Sequence, residues 1–145
     1  MRLILQRVSS AAVRVEDREI VRIGTGILVL VGVQKEDSRE NVRRAVNKLV
    51  SLRIFSDESG RMNLDAATAG GAFLVVSQFT LAASLDRGRR PSFDAAAAPS
   101  VAEPLVSLLA QEIESAGLEV AQGSFGAYMQ VELVNDGPVT FVLDV

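Results

Sequence analysis

Histidine and cysteine are both absent from the 145 residues. Without cysteine there are no disulfides, thiolate metal sites or thiol nucleophiles. Without histidine the chain lacks the usual general base near neutral pH and the commonest metal ligand. A Ser-His-Asp triad cannot be assembled, so any hydrolysis must work by other means. A long apolar run is missing too. The longest, Ile27 to Val33, contains Gly32 and falls far short of a membrane span. The opening MRLILQRV turns polar at Ser9 and Ser10, too early for a signal peptide. No membrane association and a cytoplasmic location are therefore expected. An excess of positive charge is also lacking: the formal net charge is −3, so only a local basic patch could meet a nucleic acid.

What is present fits one folded domain spanning residues 1–145. The composition is 48% hydrophobic and 23% charged, with no linker, repeat or low-complexity tract beyond the short run Ala95–Ala98. Apolar and β-branched residues predict strands over 2–8, 8–16, 20–23 and 26–33, then 72–79, 128–134 and 139–145. Ile27 to Val31 is continuously apolar and reads as buried on both faces. Turns are expected at Asp17-Arg18 and from Asp57 to Gly60.

Two helices are predicted. The first has Asp37 as N-cap and Glu40 completing a capping box. Val42, Ala45, Val46 and Leu49 form its apolar face, and it ends near Arg53. The second opens on a capping box from Ser100 to Glu103, with Pro104 in its first turn. Its face is Val101, Leu105, Leu108, Leu109 and Ile113, and Gly117 is its C-cap glycine. About seven strands in runs and two main helices suggest an α/β domain of layered sheets with helices outside, not a doubly wound sheet.

Three polar features stand apart. The strand starting at Ala72 is apolar for five residues and then meets Ser77-Gln78-Phe79-Thr80. The plain reading is a strand leaving the core. The functional one is a set of hydroxyl, amide and backbone N–H donors able to hold a carbonyl or a developing oxyanion. Asn135-Asp-Gly-Pro-Val-Thr140 reads as a hairpin turn, or as a rigid Gly-Pro probe that directs carbonyl oxygens. Asp86-Arg87-Gly88-Arg89-Arg90-Pro91 reads as a solvated loop, or as a phosphate-contacting patch. Arg7, after a mostly apolar stretch, would need a carbonyl or carboxylate partner if it is buried. Asp57, Glu58 and Asp65 read as turn residues. No metal or cofactor is called for.

These segments together resemble the D-aminoacyl-tRNA deacylase family in its bacterial form. The resemblance begins at Leu5-Gln-Arg-Val8 and continues through Arg53-Ile-Phe-Ser-Asp57, Met62-Asn-Leu64 and Gly70-Gly71. It takes in Val75 to Ala82, Arg90-Pro-Ser-Phe93, Met129-Gln-Val131 and Asn135 to Thr140. Its most specific parts are Ser-Gln-Phe-Thr at 77–80 and Asn-x-Gly-Pro-Val-Thr at 135–140. It implies a three-layer β/β/α fold and a two-fold dimer acting on aminoacylated tRNA. Hydrolysis would release a D-amino acid, or glycine, from the 3′-terminal adenosine. Ser77, Gln78, Phe79 and Thr80 would form the catalytic pocket, with Met129 as a wall. Gly137-Pro138, carrying a cis peptide and supported by Arg7, would reach into the partner's active site and exclude L side chains. Arg87, Arg89 and Arg90 would contact tRNA phosphates. Tyr128 departs from the aspartate common at that position. Two alternatives remain: a related proofreading deacylase acting on an L-aminoacyl-tRNA, for which a trans Gly-Pro unit would speak, and a non-catalytic tRNA-end-binding module.

Overall fold

The long first strand organises the molecule. A computed structural model describes residues 1–86 and 88–145, leaving Arg87 outside the described residues. Strand β1 (Arg2–Val15) turns at Glu16-Asp17 into β2 (Arg18–Ile23), followed by β3 (Gly26–Gly32). Both turn residues have positive φ, 49° and 61°, which places the turn one position earlier than expected and suits a tight hairpin. Helix α1 (Arg39–Ser51), the short pair β4 (Phe55–Ser56) and β5 (Met62–Leu64), and the single-turn helix α2 (Ala66–Ala69) lead to β6 (Ala72–Ser77). A 3-10 turn (Phe79–Ala82), helix α3 (Pro99–Ser115), β7 (Val120–Gln122) and β8 (Gln130–Asp144) complete the chain.

Six strands form one mixed sheet in the order β2-β1-β3-β6-β7, with β8 also paired to β1. The β3–β6 and β6–β7 ladders are parallel and the others antiparallel. Alternation along the strands divides the apolar residues between two cores. Ile27, Val29, Val31, Phe73 and Val75 pack against Val42 and Leu49 of α1 and Leu109 and Ile113 of α3. Leu28, Leu74 and Val76 face the other way, onto Val8, Ala11, Val13 and Ile23. The β layers expected from the sequence are thus two halves of one sheet, curled nearly into a barrel. Strand β3 is buried on both faces as its composition required. Among the described residues no helix is long and apolar enough to cross a membrane.

Local chemistry shifts several expected boundaries. The N-cap of α1 is Ser38, whose reciprocal capping partner is Asn41. Asp37 instead accepts from the Gln34 N–H at 2.6 Å and pairs with the Met1 amino group. Helix α3 starts at Pro99 after Ala98, so Ser100 lies inside it and Pro104 falls beyond the first turn. Both Ser100 and Pro104 are exposed, so water can hydrate the carbonyl that proline leaves unpaired. Gly117 ends the helix with φ 86°, as expected. The Asp57 turn also forms, its carboxylate accepting from the Ser59 and Arg61 N–H groups at 2.8 and 3.1 Å. Asp65 caps α2 by accepting from the Thr68 N–H at 2.8 Å. The Thr68 side chain, and then this N–H, hold the Asp65 carboxyl below its usual range.

The segment at 135–139 is not a hairpin. β8 pairs antiparallel with β1 on both sides of it, so the chain keeps its direction. Residues 135–139 span the stretch that 7–9 span in β1, and the surplus is pushed outward as a bulge.

Candidate active site

The parallel strands β3 and β6 deliver their C-terminal ends to the same place, where a cavity of about 480 Å³ opens. One wall carries Val31 and Val33 from the end of β3, Val76 and Ser77 from β6, and Gln78 and Phe79 from the turn after it. The start of α3 adds Pro99, Ala102 and Val106; the loop from Phe125 to Met129 closes the opposite side. Ser77, Gln78, Phe79 and Met129, all singled out from the sequence, therefore meet in one cavity. Pro99, Val106 and Phe125 were missed. Apolar residues on a helix and a loop carry no signal of site membership in a sequence.

The chain turns sharply at Gln78. Its N–H donates to the Val31 carbonyl at 2.7 Å, the last link to β3. The first bond of the 3-10 turn runs from the Leu81 N–H to the Gln78 carbonyl at 3.1 Å. The N–H groups of Phe79 and Thr80 precede that bond and have no partner within the turn. The Gln78 side-chain amide donates to the Thr80 hydroxyl at 2.5 Å. Thr80 is thereby attached to the cavity wall without being one of its lining residues. The expected strand to Phe79 is in fact a strand to Ser77 and then this turn, which carries Phe79 into the cavity wall.

The cavity is mostly apolar. Among the described residues its lining contains no carboxylate, ammonium or guanidinium group. A lining of this kind suits chemistry by oriented dipoles and exclusion of water.

Arg7 lies elsewhere. It is buried at 7% exposure, and its Nη1 donates to the Ile54 carbonyl at 2.6 Å. Its Nε donates to the Asp136 carbonyl at 2.9 Å, with the Asp136 carboxylate at 3.2 Å. The bulge is also closed by its own asparagine. Asn135 Oδ1 accepts from the Val139 N–H at 2.7 Å, and its Nδ2 donates to the Val139 carbonyl at 3.1 Å. Between these clamps the Gly137-Pro138 peptide is cis, and both residues are exposed. A Cβ on Gly137 would lie 2.7 Å from the Val139 nitrogen, so only glycine fits. The clamping role of Asn135 was not read from the sequence, where it counted only as a turn former.

Gly137-Pro138 and the cavity are apart within one chain. Arg7 pairs with Ile27, four residues and roughly 13 Å of strand before Val31.

Arg89 and Arg90 are exposed on the loop after the 3-10 turn. Backbone bonds between Ser84 and Ser92, 2.9 and 3.0 Å, close that loop. The Phe93 ring packs on Phe79 with centroids 5.0 Å apart, which holds the loop beside the cavity.

The chain matches the D-Tyr-tRNA(Tyr) deacylase family over residues 4–144. It is 51% identical over 144 residues to a D-aminoacyl-tRNA deacylase of Roseiflexus castenholzii, covering 99% of this chain and 92% of that one. Over 142 residues it is 51% identical to a D-aminoacyl-tRNA deacylase of Salmonella agona, covering 98% of each. Among solved structures, a c-Myc DNA unwinding element binding protein superposes with a TM-score of 0.93 at 37% identity, covering 100% of this chain and 99% of that one. A structure described as "a probable eukaryotic D-amino acid tRNA deacylase" shares the fold, with a TM-score of 0.88 at 20% identity over 99% of this chain and 98% of that one.

Proposed function

The chain belongs to the D-Tyr-tRNA(Tyr) deacylase family and is a hydrolase of the deacylase kind; from that premise we propose that it cleaves the ester joining a D-amino acid, or glycine, to the 3′-terminal adenosine of tRNA. The observation that carries this reading is the cavity at the ends of β3 and β6. It is mostly apolar, with no charged side chain among its described lining residues, and Phe79, at the start of the 3-10 turn, is part of its wall. An aminoacyl ester is already labile, so positioning and polarisation of its carbonyl suffice to accelerate attack by water. The Phe79 and Thr80 N–H groups polarise the carbonyl, Ser77 and Gln78 shape the pocket, and Met129 forms a wall. The free ribose hydroxyl of the substrate orients the water.

The exposed Gly137-Pro138 bulge belongs, in this reading, to the site of a second copy. Strand β8 is paired only to β1 and leaves an edge on which Val134 and Val142 are 57% and 63% exposed. An apolar edge of this length is a natural seat for another chain. A two-fold dimer seated there in a β/β/α arrangement carries each bulge toward the partner's cavity. The Gly137 and Pro138 carbonyls then fill the space an L side chain needs. Exclusion of this kind rejects more strongly than a hydrophobic pocket selects. It leaves glycine, which has no side chain, open to hydrolysis. Arg89 and Arg90 contact the tRNA phosphates, and the enzyme works in the cytoplasm, where charged tRNA is found.

The test is a paired assay on D-tyrosyl-tRNA and L-tyrosyl-tRNA, with metal chelated and with glycyl-tRNA alongside. Loss of the D and glycyl forms alone is expected. Loss of the L form points to a related proofreading enzyme, loss of none to a binding module, and survival of glycyl-tRNA defeats exclusion by the bulge.

The same assay separates two roles for Thr80. Its hydroxyl is engaged by the Gln78 amide, and among the described residues no charged group that could serve as its base lines the cavity. Thr80→Val is expected to lower kcat by about tenfold, the scale of a lost hydrogen bond. Near-complete loss, with the fold intact, would restore Thr80 as a covalent nucleophile.

A further inference from the structure

Tyr128 is the only tyrosine in the chain, and 91% of its surface is exposed. It nevertheless contributes to the lining of the active-site cavity. Its neighbours explain how one residue does both. Phe125 packs inward against the main core. Gly126, with φ 74°, and a bond from the Ala127 N–H to the Ser124 carbonyl at 3.2 Å turn the chain. On the far side, Met129 packs into the second core and sits so close on Gly123 that a Cβ there would come within 2.9 Å of its sulfur. The backbone of Tyr128 is thus anchored on both sides while its ring stands in solvent at the cavity mouth. Phe79, 58% exposed, flanks the same mouth from the β6 side.

We propose that Tyr128 is a stacking platform for the unpaired base that precedes the terminal adenosine of the tRNA substrate, a reading that rests on the deacylase function proposed above. A substrate whose terminal adenosine lies in the cavity must leave through this mouth as single-stranded RNA. Its bases have free π faces there, and an exposed aromatic ring is the chemistry that holds them. The ring needs no charge for this and reads no particular sequence, because every base offers a face. A ring this exposed contributes little packing to the fold, so its removal should leave the protein folded.

The experiment compares a D-alanyl ester of adenosine with a D-alanyl ester of the trinucleotide CCA, using the full-length protein. Tyr128→Ala is expected to raise KM for the trinucleotide by about tenfold, the scale of one lost base–aromatic stack. Its kcat for the trinucleotide should stay near the wild-type value, and KM for the mononucleoside should change far less than KM for the trinucleotide. Tyr128→Phe, which keeps the π face, is expected to restore the wild-type KM. Equal effects on both substrates, an effect confined to kcat or no effect would overturn the assignment. So would a changed sedimentation coefficient, which would make Tyr128 a subunit contact instead. A wild-type enzyme inactive on both esters brings down the deacylase reading itself, and is told apart from failure of the stack alone by that inactivity.

Discussion

Arg7→Leu is expected to lower Tm by about 10 °C and to erode the discrimination between D- and L-aminoacyl-tRNA in what remains folded. The guanidinium is buried and bridges two carbonyls that no neighbouring strand serves: Ile54, between α1 and β4, and Asp136 in the bulge. Leucine fills much of the volume but donates nothing. Each bond is charge-assisted, and leaving a buried acceptor unpaired costs about 1–3 kcal/mol. A total of about 3 kcal/mol, spread over a domain of this size, corresponds to the Tm shift above. The functional effect follows from position. With Asp136 released, the bulge is held only by the Asn135 clamp, and Gly137-Pro138 gains freedom. On the proposed role of Gly137-Pro138 as the exclusion device, a movement of an ångström ends the exclusion, so the ratio of D to L hydrolysis rates should fall by at least about tenfold. Arg7→Lys should recover part of the stability but not the ratio, because an ammonium lacks the planar fork that reaches both carbonyls. Scanning calorimetry and the paired assay measure the two effects separately. A folded Arg7→Leu protein with undiminished discrimination would show that the arginine stabilises the fold without aiming the bulge.

Arg7 also shows what could be read in advance. A guanidinium after a mostly apolar stretch would, if buried, need a carbonyl or carboxylate partner, and that much was legible from physical chemistry alone. Which carbonyl could not be known, since Ile54 and Asp136 come from distant parts of the chain. The same limit explains the bulge. Asn135-Asp136-Gly137 has the composition of a hairpin turn, and the local sequence cannot tell whether the chain then reverses. That depends on β1 running on past it as a partner for both halves of β8. At the α1 cap, two adjacent residues, Asp37 and Ser38, were both competent. The choice went to Ser38 because Asp37 is engaged by Met1 and Gln34. The first face survived intact, with Val42, Ala45, Val46 and Leu49 all buried; in the second, Leu105, Leu109 and Ile113 are buried, Leu108 is half-buried and Val101, in the exposed first turn, faces solvent. Burial periodicity is a local property of sequence, whereas cap choice and strand partnership are settled by tertiary contacts.

Gly32→Ala is expected to leave the protein folded and to lower kcat on D-aminoacyl-tRNA by about a hundredfold. Gly32 ends β3 beneath the 3-10 turn that carries Phe79 and Thr80. A Cβ at this position would lie 2.6 Å from the Leu81 Cβ and 3.2 Å from the Gln78 carbonyl oxygen. Carbon atoms need about 3.5–4.0 Å, so the turn must retreat by roughly 1 Å. Its one backbone link to β3, from the Gln78 N–H to the Val31 carbonyl, would yield first. A displacement of 1 Å in a positioning group can cost on the order of a hundredfold in rate. Phe79 and Thr80 are exposed and Leu81 is half-buried, with Ala82 alone in the turn buried, so the loss of stability should be small by comparison. Two other glycines set the scale. Gly24 has nothing within 4 Å, and Gly24→Ala should change neither rate nor stability. At Gly26 a Cβ would meet the Ala72 carbonyl oxygen at 2.0 Å, so Gly26→Ala should break the β3–β6 ladder and the fold with it. A Gly32→Ala enzyme with normal kcat would mean that the Phe79 and Thr80 N–H groups are not the donors that meet the ester carbonyl. A Gly32→Ala chain that fails to fold, as Gly26→Ala should, would mean that the turn is part of the core and not a separable carrier of the site.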